Sequence, residues 1–145
     1  MNSRRKFIRN SMLGAAALSL SPFQSLSLNP SNSNIQITIL HTNDMHSHIE
    51  PFVSGRNKGL GGMAQRASII NQIRNEGNSV LLLDAGDIFQ GTPYFNMYGG
   101  ELEFKLMSKL GYDAATLGNH DFDNGIEKLI DQLPHAKFPF IVSNY

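Results

Sequence analysis

Apolar and polar residues alternate over residues 35–40 (IQITIL), which predicts a strand that opens into the polar stretch HTND. Residues 51–62 are rich in glycine and read as a long loop. Met63, Ala67, Ile70 and Ile73 then recur at helical spacing, with Gly77 placed to end that helix. Residues 80–83 are a continuous apolar run, the pattern of a strand buried on both faces. Residues 85–100 read as loop. Leu102, Leu106 and Leu110 recur every fourth position, with Gly111 behind them, and predict a second helix. Residues 113–117 form a weak third strand. Asn124-Gly125-Ile126-Glu127 has the form of a capping box, opening a third helix with Ile126, Leu129, Ile130 and Leu133 on one face. Residues 138–142 predict a fourth strand. Strands alternating with helices imply an α/β fold around a mainly parallel sheet.

Charge changes this picture at the N-terminus. Arg4, Arg5, Lys6 and Arg9 are crowded ahead of a short apolar stretch (SMLGAAALSL), and no acidic residue precedes Asp44. The stretch is too short to anchor stably in a bilayer. With the Ser3-Arg4-Arg5-Lys6-Phe7 run before it, it resembles a twin-arginine export signal, with a disordered basic tail as the competing reading. The expected organisation is a signal peptide over residues 1–28, a polar linker over 29–34 and one domain over 35–145, exported to the periplasm or secreted. Beyond residue 28 the remaining Lys and Arg are outnumbered by the acidic residues, so the body has no basic footprint for a nucleic-acid polymer. The absence of cysteine excludes disulfides, thiolate metal sites and a cysteine nucleophile.

The candidate chemistry lies in three short runs: Asp44-Met45-His46, Gly86-Asp87 and Gly118-Asn119-His120-Asp121. Each follows a predicted strand, and in a parallel sheet those strand ends share one edge, where ligands bind. Asp44 and His46 are two apart, so on an extended segment both side chains would face one metal. A turn aspartate beside a surface histidine is the competing reading. Asp87 can bridge two metals with its two oxygens, or simply serve a turn. Asn119 can offer a neutral carbonyl oxygen to a second metal. Asp123 is placed to orient the His120 imidazole, or to cap a helix. Together the set favours oxygen-rich coordination of manganese, zinc or iron. Two such ions activate water for phosphoryl displacement, with His120 either protonating the leaving oxygen or stabilising the equatorial oxygens.

The runs D-x-H, G-D and G-N-H-D, in this order, resemble the calcineurin-like metallophosphoesterases. The fuller strings ITILHTNDMHSHIEP, GGMAQRA, LLLDAGDIFQGTPY and ATLGNHDFDNG resemble the N-terminal catalytic domain of the 5′-nucleotidase, UDP-sugar hydrolase and 2′,3′-cyclic-nucleotide phosphodiesterase group. The resemblance implies a four-layer α/β/β/α core, of which these residues supply a β-α-β-α-β-α-β portion. It implies that Asp44 and His46 bind a first metal, that Asp87 bridges two, that Asn119 binds the second, and that His120 is catalytic with Asp123 as its partner. Asp121 takes a supporting role, His41 a structural one at a strand end, and His48 a place behind the ligands. The implied substrate is a small phosphate ester, foremost a nucleotide 5′-phosphate; cyclic nucleotides, UDP-sugars and sulfur esters are alternatives. The family completes its centre with later histidines that these residues lack, since only His135 follows His120. The expectation is therefore a truncated or split member, inactive alone, with a non-catalytic remnant as the other alternative.

Overall fold

Parallel pairing of strands β1 (Ile37–Thr42) and β2 (Ser79–Asp84) sets Ile39 beside Leu81 and Thr42 beside Asp84. A computed structural model describes residues 35–77 and 79–143; the expected signal and linker lie outside the described residues. Strand β3 (Ala114–Ala115) pairs in parallel with the other side of β2, giving the order β1-β2-β3. Parallel neighbours need a crossover, and α1 (Met63–Asn75) provides it between β1 and β2. Helices α2 (Pro93–Tyr98) and α3 (Glu101–Leu110) lie between β2 and β3. A 3₁₀ turn at Asn119–Phe122, helix α4 (Ile126–Gln132) and a 3₁₀ turn at Leu133–His135 follow. The α/β alternation is the expected one.

Several details differ from the expectation. The fourth strand reduces to a bridge between Ala115 and Phe140. Ala115 donates to the Pro139 carbonyl and accepts from Ile141, but Pro139 has no N–H to extend a ladder. Helix α2 was hidden in a stretch that reads as loop; Pro93 at its first turn and left-handed Gly99 at its end are the signals that mark it. The Asn124–Glu127 capping box does not form, since Gly125 occupies the N-cap position with no side-chain cap. Of the four apolar residues expected on one face of α4, Leu129 is buried, Ile126 and Ile130 are exposed, and Leu133 lies past the helix in the following 3₁₀ turn, also exposed. Helix α3 turns Glu103, Phe104 and Met107 inward, ahead of the leucines whose spacing predicts it.

The parallel register gives the sheet two different faces. Leu40, Leu82, Thr42 and Asp84 lie on the face toward the core, while Ile37, Ile39 and Leu81 lie on the other and are exposed. β2 is thus buried on one face among the described residues, where its apolar run predicts burial on both. The core centres on Phe89, whose ring lies 4.7 Å from Phe104 and 5.2 Å from Phe95 between centroids. Burying each such ring stabilises by about 1.5–3 kcal/mol. This packing fixes the loop between β2 and α2, and so the position of Asp87. No helix among the described residues is long and apolar enough to cross a membrane.

Candidate metal centre

The three motif runs leave the same edge of the sheet, and hydrogen bonds continue the strand pairing beyond the strands. Ala85 N–H donates to Thr42 O at 2.8 Å, Asp44 N–H to Gly86 O at 3.0 Å, His46 N–H to Asp87 O at 3.0 Å and Ser47 N–H to Ile88 O at 2.9 Å. The first two loops are thereby held to each other by backbone. The third is pinned by Asp121, which is 2% exposed. Its carboxylate accepts N–H groups from Asp87, Ile88, Phe89 and Gly118 at 2.8–3.0 Å. Burial pushes the Asp121 pKa up, opposed by these four donors.

Close approach explains the glycines of the motifs. A Cβ on Gly86, whose φ is 98°, would stand 2.5 Å from Gly118 N. A Cβ on Gly118 would overlap the Asp87 carboxylate. The two glycines let the second and third loops touch backbone to backbone.

Asp44, His46 and Asp87 converge so that one ligand atom from each lies within 4.8 Å of the others. His46 Nε2 is 3.7 Å from Asp44 Oδ1. The route to this convergence differs from the extended segment expected. Asp44, His46 and Asp87 have φ of 49°, 44° and 55°, and Ser47 and Gln90 are also left-handed. Such backbone costs about 1–3 kcal/mol per non-glycine residue and persists only where its surroundings enforce it. Here the loop-to-loop hydrogen bonds do so. Two carboxylates and an imidazole make a donor set suited to a hard or borderline divalent cation, so the residues present fit a metal.

His120 adjoins this group. Its N–H donates to Asp87 Oδ1 at 3.0 Å, and its ring centroid lies 5.2 Å from that of His46, edge to face. His120 Nδ1 is 2.9 Å from Asp123 Oδ2. This bond is the chief cause that raises the His120 pKa above its ordinary value and lowers that of Asp123. The ionised carboxylate only accepts, so Nδ1 carries one proton, and the second proton of the charged ring sits at Nε2, which is left for a substrate. Gln90 Nε2 also donates to Asp123 Oδ2, at 3.2 Å. Asn119 opens the 3₁₀ turn that carries His120 and is exposed.

Beneath the loops a polar network fills the strand ends. Thr42 Oγ1 donates to Asp84 Oδ2 at 2.5 Å, and the Tyr112 hydroxyl lies 2.7 Å from Thr42 Oγ1. Asp84 Oδ1 accepts the Gly86 N–H at 2.9 Å. Burial raises the Asp84 pKa to about 6 in spite of these bonds. His41 sits exposed near the end of β1, and His48 stacks on Phe52 with centroids 4.3 Å apart. His135 approaches Glu101 Oε2 at 4.0 Å. Sequence reasoning missed Gln90, although it lies within the string LLLDAGDIFQGTPY, and left Asp121 without a specific task.

The sequence model of the calcineurin-like phosphoesterase family matches residues 37–144. The 5′-nucleotidase of Rattus norvegicus is 46% identical over 126 residues, 82% of this chain and 22% of that protein. The crystal structure of a 5′-nucleotidase precursor from Thermus thermophilus is similar with a TM-score of 0.69 at 40% identity, over 74% of this chain and 22% of that one. The NAD nucleotidase of Haemophilus influenzae follows with a TM-score of 0.68 at 34% identity, over 74% and 20%. The chain spans about a fifth of the length of these relatives. It belongs to the calcineurin-like phosphoesterase family.

Proposed function

We propose that this chain supplies one side of a two-metal centre that hydrolyses phosphate esters, foremost nucleotide 5′-phosphates. The observation that carries the reading is the contact of the His120–Asp123 pair with the Asp44, His46 and Asp87 group through Asp87 Oδ1. A proton donor beside a cluster of metal ligands is the pairing that phosphate-ester hydrolysis needs. Asp44 and His46 would hold the first divalent ion, Asp87 both, and Asn119 the second; manganese, zinc or iron suits the donors. When bound, the ions supply Lewis acidity and neutralise phosphate charge. His120, its pKa raised by Asp123, keeps a proton at Nε2 to give to the leaving oxygen. The nucleotide preference rests on likeness to proteins named as 5′-nucleotidases and an NAD nucleotidase.

The test is a Mn²⁺ titration of the chain, followed by an AMP-hydrolysis assay. The assay uses a chimera in which residues 35–145 replace the matching segment of the Thermus thermophilus protein. Saturable Mn²⁺ binding and AMP turnover, both lost in Asp87→Ala, are expected. A chimera that folds and binds Mn²⁺ yet leaves AMP intact would refute the nucleotide reading.

The reading includes export through residues 1–28, with residues 29–34 as linker and residues 35–145 as the domain. The Ser3-Arg4-Arg5-Lys6-Phe7 pattern supports it. Replacing Arg4 and Arg5 with lysine should hold the protein in the cytoplasm, as fractionation would show; normal periplasmic levels would refute it.

A further inference from the structure

We propose that Glu103 is a positioning residue for the metal ligand His46, acting through Ser47; this rests on the assignment of His46 as a ligand. Glu103 and Ser47 are each 1% exposed. Glu103 stands in the first turn of α3, beside Phe104 and Met107, which are fully buried. Neither it nor its helix belongs to the three motif runs.

The Ser47 hydroxyl donates to Glu103 Oε1. Glu103 Oε2 is buried and has no hydrogen-bond partner among the described residues. A carboxylate left half-satisfied in a core lowers stability, and an apolar pair of the same shape would serve the fold at least as well. What the carboxylate adds is a fixed place for Ser47. That residue has a φ of 57°, directly after His46 with a φ of 44°. Two successive left-handed residues need restraint from outside the turn. Ser47 has three such ties. Its N–H donates to Ile88 O at 2.9 Å, its carbonyl accepts from Thr92 Oγ1 at 2.8 Å, and its hydroxyl reaches Glu103. On the other side Gly91 packs close against the turn, where a Cβ would stand 2.9 Å from His46 O. Glu103 therefore couples the rigid helix α3 to the peptide that aims the His46 imidazole. Groups that orient a metal ligand from behind govern affinity without touching the ion.

The experiment measures Mn²⁺ affinity of the full chain by electron paramagnetic resonance, with thermal melting of the metal-free protein alongside. The double variant Ser47→Ala/Glu103→Met replaces the pair by apolar groups of similar shape. It is expected to melt at or above the wild-type temperature while its Mn²⁺ Kd weakens by about 10–100-fold. Glu103→Gln keeps the acceptor for Ser47 and is expected to restore affinity close to wild type. A double variant that binds Mn²⁺ as tightly as wild type would overturn the inference and leave a core-filling pair. Should the double variant not fold, Ser47→Ala alone decides, since the same weakening is expected and an unchanged Kd refutes. Wild-type protein whose Mn²⁺ binding is untouched by His46→Ala would instead remove the ligand assignment, and the inference with it.

Discussion

The backbone N–H of His120 donates to Asp87 Oδ1 at 3.0 Å, so the carboxylate proposed to bridge two metals also seats the proposed proton donor. One side chain links the second and third loops. Its loss should therefore be felt at both the metal site and the histidine.

Asp87→Ala should abolish saturable Mn²⁺ binding, a loss greater than the about 10–100-fold expected of a group behind the ligands. It should also lower the His120 pKa, which the Asp87 charge helps to raise. Asp87→Asn keeps an oxygen for the His120 N–H but removes the charge. Histidine resonances followed by NMR should show His120 held in place in Asp87→Asn, with metal binding still impaired. Undiminished Mn²⁺ affinity in Asp87→Ala would end the bridging assignment.

Gly118 is required for space. Its backbone is ordinary, with φ −97°, yet a Cβ would overlap the Asp87 carboxylate. Gly118→Ala should destabilise by about 1–3 kcal/mol, as overpacking does, and weaken Mn²⁺ binding by displacing Asp87. Gly77→Ala is the control. Gly77 has open space around it and a φ of 81°, so alanine there should cost about 1 kcal/mol in backbone strain alone and leave Mn²⁺ affinity unchanged. Thermal melts and titrations of the two variants separate space from conformation.

Hydrophobic periodicity and the motif runs place the ends of the first three strands to within about two residues, while the fourth reduces to a bridge. That placement is what brings Asp44, Asp87 and His120 to one edge. The conformation of the Asp44–His46 turn was not legible, because aspartate and histidine merely tolerate left-handed backbone better than most residues and do not demand it; the loop-to-loop hydrogen bonds enforce it. Glu103 was hidden for a related reason. The leucine spacing of α3 points to Leu102, Leu106 and Leu110 as its buried stripe, while the packed helix turns Glu103, Phe104 and Met107 inward. The open face at Ile37, Ile39 and Leu81 was equally hidden, since an apolar run looks alike whether one face or both are covered.

Asp84 predicts a pH dependence of stability. Its pKa is raised from 3.8 to about 6, chiefly by burial, so the folded state holds this proton more tightly than the unfolded chain does. Its contribution to stability is full below about pH 4 and is lost as pH rises to about 6, worth about 3 kcal/mol. Asp84→Asn removes the titration. Denaturant melts from pH 4 to 7 should show wild type losing stability relative to Asp84→Asn over that window. Parallel curves would show that Asp84 titrates normally in the folded protein.

The His120–Asp123 pair gives the last prediction, and it separates proton donation from metal binding. The Asp123 carboxylate raises the His120 pKa, so His120 stays protonated to a higher pH than an ordinary histidine. Asp123→Asn should lower that pKa, visible in the NMR titration of the chain itself, while Mn²⁺ affinity stays near wild type. In the chimera described above, the fall in AMP turnover at high pH should move to lower pH in the same variant. His120→Asn should keep Mn²⁺ and the fold but lose about 10²–10⁴-fold in AMP turnover, the range for a positioned general acid. Nitrophenyl phosphate has a leaving group that needs little protonation, so its loss should be much smaller. If His120→Asn slowed both substrates equally, or released the metal, His120 would be an electrostatic or ligating group and the donor role would fall.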